Sequence, residues 1–231
     1  MIQFYNTLHR KKEPFNPLQK SKVSLYTCGP TVYDFAHIGN FRAYLFEDLL
    51  RRFLEFSGYE VHHVMNITDI DDKTIRRSLE EGVSLTNLTD RYANSFFENV
   101  KLLNILPAHQ YPRATEFISH MIEAIQTLEA KGFTYTTSDG SVFFKISQFS
   151  EYGKLANLDP ELLKSGERVE EDEYDKEEGR DFALWKGIKP DDGEIYWESP
   201  WGRGRPGWHI ECSVMSTHYL GDHFDIHCGG V

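Results

Sequence analysis

Residues 28–42 read CGPTVYDFAHIGNFR, and two different patterns flank them. Before them stands VSLYT (23–27), a short β-branched run closed by Cys-Gly-Pro, which is the pattern of a buried strand. After them the spacing turns helical. From Gly39 to Ser57, Phe41, Leu45 and Leu49 form a stripe with Leu50, Phe53 and Leu54 beside it, and Gly58 is suited to end the helix. YEVHHVMNIT (59–68) then reads as a second strand. Strand, loop, helix and strand within about 45 residues predict a βαβ unit and a parallel sheet. Ligands of such sheets bind beyond the carboxyl ends of the strands. Cys28 falls at the end of the first strand, and Thr68 and Asp69 at the end of the second, so distant segments converge on one crevice.

The rest of the chain fits around that core. Residues 72–104 read as helices, with Ser84 or Thr86 available as a cap, and Pro107 and Pro112 interrupt the pattern. A further helix is predicted from about Ala114 to Lys131, stopping at Gly132. TYTTSDGSVFFKI (134–146) carries a hairpin signal with Asp139-Gly140 as the turn. ESPWGRGRPGW (198–208) is loop-like, HIECSVMSTHYL (209–220) is helical up to Gly221, and HFDIHCGGV (223–231) reads as a strand running into glycines. The simplest organisation is an α/β core whose first half is 1–107, a connective insertion over 108–205, and a core resumed at 206–231.

Bulk properties exclude several classes. The 231 residues are 40% hydrophobic, with no run near the roughly 18 apolar residues of a membrane span. The N-terminus lacks the apolar region of a secretory signal, and three cysteines without a framework of spacings fit a reducing cytoplasm. The net charge of −11 argues against general nucleic-acid binding, which needs Lys and Arg on phosphates. Residues 167–181, ERVEEDEYDKEEGRD, hold nine acidic and three basic side chains and read as a solvated loop. Walker and GxSxG motifs are absent, which disfavours phosphate-loop ATPases and α/β-hydrolases.

Two constellations carry chemistry. His37-Ile-Gly39-Asn40 stands at a helix N-terminus, whose free N–H groups and partial positive charge attract phosphates. There His37 can donate to a phosphate or serve as an ordinary cap, and Gly39 removes bulk where a ligand would approach. Cys28 and Cys212 are too far apart in sequence for a local zinc motif. They are either core-filling thiols or half of a zinc site, with His209, Glu211, His223, His227 and Cys228 unfixed as further donors. TDIDDK (68–73) resembles the start of a calcium loop but lacks its later Gly and Glu, and reads better as acidic residues opening a helix. Trp208 is a substrate wall or core, and Trp185, Trp197 and Trp201 are packing.

YTCGPTVYDFAHIGNFR, NITDIDDK, DFALWK and SPWGRGRPGWHIECS, in this order and across most of the chain, resemble the cysteinyl-tRNA synthetases, a family of class I aminoacyl-tRNA synthetases. The resemblance implies a HUP-type, Rossmann-like nucleotide-binding fold split by a connective insertion. It implies a cytoplasmic, monomeric cysteine–tRNA ligase using L-cysteine, ATP with Mg²⁺ and cysteine tRNA, and no membrane. It also implies one zinc per full-length chain, on Cys28, Cys212 and a downstream His and Glu. His37 and Asn40 would be catalytic, and with Gly39, Gly229 and Gly230 would bind ATP. Gly29, Thr31, Thr68 and Trp208 would bind cysteine. The family's PHHENE-like block, Lys-Met-Ser-Lys-Ser loop and anticodon-binding domain do not occur in these 231 residues, so the chain resembles the family's N-terminal portion. Two alternatives are a mycothiol-pathway cysteine ligase with the same core and a silent zinc- or tRNA-binding module.

Overall fold

The computed structural model describes residues 2–155 and 181–229. The acidic run, apart from Asp181, and Gly230 lie outside them. Among the described residues the chain forms three sheets.

The central sheet is parallel. β1 (Gln3–Asn6) and β2 (Lys11–Pro14) precede it as an antiparallel hairpin. β3 (Lys22–Thr27) then lies between β4 (Glu60–Met65) and β9 (Ile226–Cys228). Thr27 sits opposite Met65 on one side and Cys228 on the other, so the three strands end at one level. Val23, Leu25, Tyr26 and Thr27 are buried, as expected of a strand covered on both faces. α1 (Ile38–Phe56) carries the chain from β3 back to the start of β4 and buries Phe41, Tyr44, Glu47, Arg51 and Leu54. Phe4 and Phe15 of the hairpin meet edge-on at 5.2 Å over Val23, Leu25, Leu54 and Val61.

α2 (Asp72–Glu81) is capped by Asp71, and α3 (Leu85–Leu102) by Ser84. Leu88, Tyr92, Ala93 and Phe96 of α3 pack with Phe41 and Tyr44 of α1. The predicted helix near 114 opens with a 3₁₀ turn, Ala114–Phe117, before α4 (Ile118–Ala130). The predicted hairpin is β5 (Thr134–Thr136) and β6 (Val142–Phe144). β7 (Phe182–Gly187) and β8 (Gly204–Pro206) complete an antiparallel four-stranded sheet in the order β5-β6-β7-β8. α5 (Trp208–Leu220) follows. Met121, Ile125, Val142, Leu184, Trp185, Val214 and Met215 form one cluster with Tyr26, Val64 and Ile70. One core therefore joins the antiparallel sheet and α4 and α5 to the parallel sheet.

The predicted strand over 223–231 is shorter than its apolar run. Asp225 accepts hydrogen bonds from Ser24 N–H at 2.8 Å and from Leu18 N–H at 2.6 Å, so a side chain replaces the ladder just before Ile226.

Candidate active site

α1 starts where the quoted stretch predicts. His37 is its N-cap: Nδ1 accepts the Gly39 N–H at 3.0 Å, and Asn40 Oδ1 accepts the His37 N–H at 3.0 Å. This reciprocal box satisfies donors that a helix start leaves free, and both side chains stay exposed. A Cβ on Gly39 would lie 2.8 Å from Cε1 of His37, so glycine here lets the imidazole fold over its own helix. That reason is local and differs from the ligand-approach reason expected from the sequence. Beside the cap lies a cavity of about 320 Å³ lined by Gly29, Thr31, His37, Asn40, Tyr44, Tyr92 and Phe96, among others.

The strand ends are tied by backbone. Cys28 N–H donates to Cys228 O at 3.1 Å, Val32 N–H to Thr68 O at 3.0 Å, and Thr68 N–H to Pro30 O at 3.0 Å. A Cβ on Gly29 would fall 1.7 Å from Asn66 O, so only glycine fits this approach. Asn66 is the hub. Its Oδ1 accepts Tyr26 Oη–H at 3.1 Å, Gly29 N–H at 3.0 Å and the Cys212 thiol at 3.9 Å. Its Nδ2 donates to Thr68 Oγ1 at 3.1 Å, and Thr68 in turn donates to Glu211 Oε2 at 3.0 Å.

The structure brings the two cysteines together. Cys28 Sγ lies 3.7 Å from Cys212 Sγ and 3.8 Å from His227 Nε2. The bond from Cys212 holds the Cys28 thiol below its ordinary range, against burial and the Glu47 charge. The same bond, with burial, pushes the Cys212 thiol up. Burial holds the His227 imidazole down and raises the Glu211 carboxyl, which is almost wholly enclosed. Two thiolates 2.3 Å from a tetrahedral zinc stand about 3.8 Å apart, so this pair has the spacing of two zinc ligands. Among the described residues no group of three or more His, Cys, Asp or Glu side chains is arranged to hold a metal, and two thiols alone are fewer donors than a structural zinc takes.

The remaining sequence-predicted residues separate. A Cβ on Gly229 would sit 3.5 Å from both Cys28 Sγ and His227 Nε2, which places this glycine at the thiols. Trp208 is 58% exposed and lines a small cleft with Asp71, Asp72, Lys186, Arg205 and Glu211. It precedes Cys212 by four residues, one turn of α5. The acidic residues of TDIDDK are structural. Asp69 accepts Thr115 N–H at 2.9 Å, Asp71 caps α2, and Asp72 pairs with Lys186 at 2.8 Å and with Arg205. Tyr26 and Asn66 went unnoticed as site residues, and Glu211, an unfixed zinc donor by sequence, instead accepts from Thr68. The one sequence signal of Tyr26 and Asn66 is position, at a strand end.

The family model described as tRNA synthetases class I (C) catalytic domain matches residues 14–231. The cysteine–tRNA ligase of Brachyspira hyodysenteriae is 58% identical over 232 residues, covering 100% of this chain and 49% of that protein. That of Chlamydia muridarum is 57% identical over 228 residues, covering 98% and 48%. The chain thus spans about half the length of these curated relatives. Among solved structures, the methionyl-tRNA synthetase of Mycobacterium tuberculosis in complex with methionyl-adenylate superposes with a TM-score of 0.63 at 15% identity. It covers 87% of this chain and 47% of that one, a likeness of fold alone. A Rossmann-like parallel sheet and a family match over nearly the whole length agree: the chain belongs to the class I (C) tRNA synthetase catalytic domains.

Proposed function

We propose that this chain is the amino-acid-activating portion of a cysteine–tRNA ligase. The observation that carries the reading is the Cys28–Cys212 sulfur pair, 3.7 Å apart at the carboxyl end of the parallel sheet. The carboxylate of L-cysteine attacks the ATP α-phosphorus, pyrophosphate leaves, and cysteinyl-adenylate forms. The cysteinyl group then passes to the 3′ end of cysteine tRNA. Mg²⁺ accompanies the ATP, whose phosphate oxygens suit it. His37 and Asn40 stabilise charge on the phosphates from the helix N-terminus. The cap uses His37 Nδ1 and Asn40 Oδ1, which leaves His37 Nε2 and Asn40 Nδ2 as the donors for phosphate. Gly39, Gly229 and Gly230 border the nucleotide, and Gly29, Thr31, Thr68 and Trp208 border the amino acid.

Cys28 and Cys212 would hold zinc together with a histidine and a glutamate from the family's following segment. When bound, zinc supplies an open position that takes a thiolate far better than an alcohol. That answers a real difficulty, because cysteine and serine differ by one atom and an apolar pocket separates such pairs poorly. The same reading has 1–107 and 206–231 as core and 108–205 as connective insertion, in a cytoplasmic monomer. Among the described residues no helix is long and apolar enough to cross a membrane.

The test is ATP–pyrophosphate exchange by the chain extended to the family's full length, with cysteine and with serine, beside residues 1–231 alone. Exchange with cysteine only is expected, and none with either amino acid overturns the reading. Cys28→Ser in the extended protein should lower bound zinc and weaken cysteine binding at least tenfold. Retention of both removes the metal role.

A further inference from the structure

The outer face of α1 is mostly apolar, with exposed Arg42 standing among its apolar side chains. Its inward side carries Phe41, Tyr44, Glu47, Arg51 and Leu54. On the opposite side Ile38, Leu45, Phe46, Leu49, Phe53 and Phe56 recur at helical spacing, and all six are exposed. Phe56 is 91% exposed, and Phe46 and Leu49 are each 64% exposed. Taking about 200 Å² for a fully exposed large apolar side chain, the stripe presents roughly 700 Å², more than an ordinary soluble monomer shows in one patch. The N-terminal hairpin does not cover it, since Phe4 and Phe15 pack instead on Val23, Leu25, Leu54 and Val61.

We propose that this stripe is the docking face for the part of the family's chain that lies beyond the matched half. The curated relatives are about twice as long as the matched region, so a segment of similar size must find a place against this domain. A second copy fits less well, because two chains of charge −11 repel on approach. The occupant is an apolar face of that following segment, laid along α1 from Ile38 to Phe56. This rests on the family match and the exposure of α1, not on the activity proposed above.

The test is Leu49→Glu and Phe53→Glu, each made in residues 1–231 and in the full family-length chain, with Leu18→Glu as a control on another exposed apolar residue. Thermal unfolding, sedimentation and binding of an apolar dye are read on both forms. Residues 1–231 should be monomeric, bind the dye, lose dye binding on substitution and keep their midpoint within about 2 °C. The long chain should bind little dye and lose at least about 5 °C with either stripe variant but not with the control. Equal midpoint changes in the two forms overturn the proposal. So does a dimer of residues 1–231 that either stripe substitution dissolves, since the face then belongs to a second copy.

Discussion

Asn66 accepts from Tyr26, Gly29 and Cys212 on one carbonyl oxygen and donates to Thr68 from its nitrogen. Asn66→Ala should strand these buried partners and lower stability by about 1–3 kcal/mol for each one left without water. Urea denaturation of residues 1–231 reads the change. Glu47 is another buried polar residue of consequence. Burial raises its carboxyl to about 8, a bond from Thr27 opposes the rise, and Oε2 has no partner. A carboxyl raised in the native state holds its proton more tightly folded than unfolded. Its contribution is therefore complete below the ordinary value of 4.5 and is lost as pH rises through about 8. Between those limits the slope is at most about 1.4 kcal/mol per pH unit. Glu47→Gln should flatten stability between pH 6 and 9 and leave the variant the more stable protein at pH 9, by denaturant midpoints at each pH. The sequence made His37, Asn40 and the cysteines legible because each sits at a recognisable strand or helix end. Asn66 was not legible, because its partners lie 37, 40 and 146 positions away.

Among elements, α2 is held to the antiparallel sheet by charge. Lys186 of β7 and Arg205 of β8 both reach Asp72, and Arg205 also pairs with Asp192. Burial works against the Asp72 charge, yet Arg205 and Lys186 hold its carboxyl below the ordinary range. This contribution is present at neutral pH and lost as pH falls through the depressed value. Asp72→Ala should destabilise residues 1–231 by about 1 kcal/mol at pH 7, because solvent screens its half-exposed carboxylate and Asp192 still faces Arg205. The difference from the parent should shrink in acid, which denaturation at pH 7 and pH 4 would show. Periodicity found α1, α3 and the hairpin turn readily. It missed β8, because Gly-Arg-Pro has the composition of a loop. Backbone packing makes it a strand: a Cβ on Gly204 would lie 2.2 Å from Lys186 O.

For the whole molecule, the alternation of strand and helix around CGPTVYDFAHIGNFR predicted the parallel sheet, and the β4-β3-β9 order supplies it. The N-terminal hairpin was not foreseen. Its strands carry little apolar periodicity, and Phe4 and Phe15 gain meaning only against β3 and α1. Charge is the other property of the whole. At −11, residues 1–231 should bind tRNA only weakly at physiological salt, with a dissociation constant above about 10⁻⁴ M. Fluorescence anisotropy with labelled tRNA measures it, and tight binding would mean a basic surface that the net charge conceals.

The cap on α1 has one more consequence. A neutral imidazole exists as two tautomers, and Nδ1 of His37 can accept the Gly39 N–H only when it carries no proton of its own. The helix start therefore fixes the remaining proton on Nε2. An anion arriving at this end of α1 meets a ready N–H donor without any need for a positively charged ring.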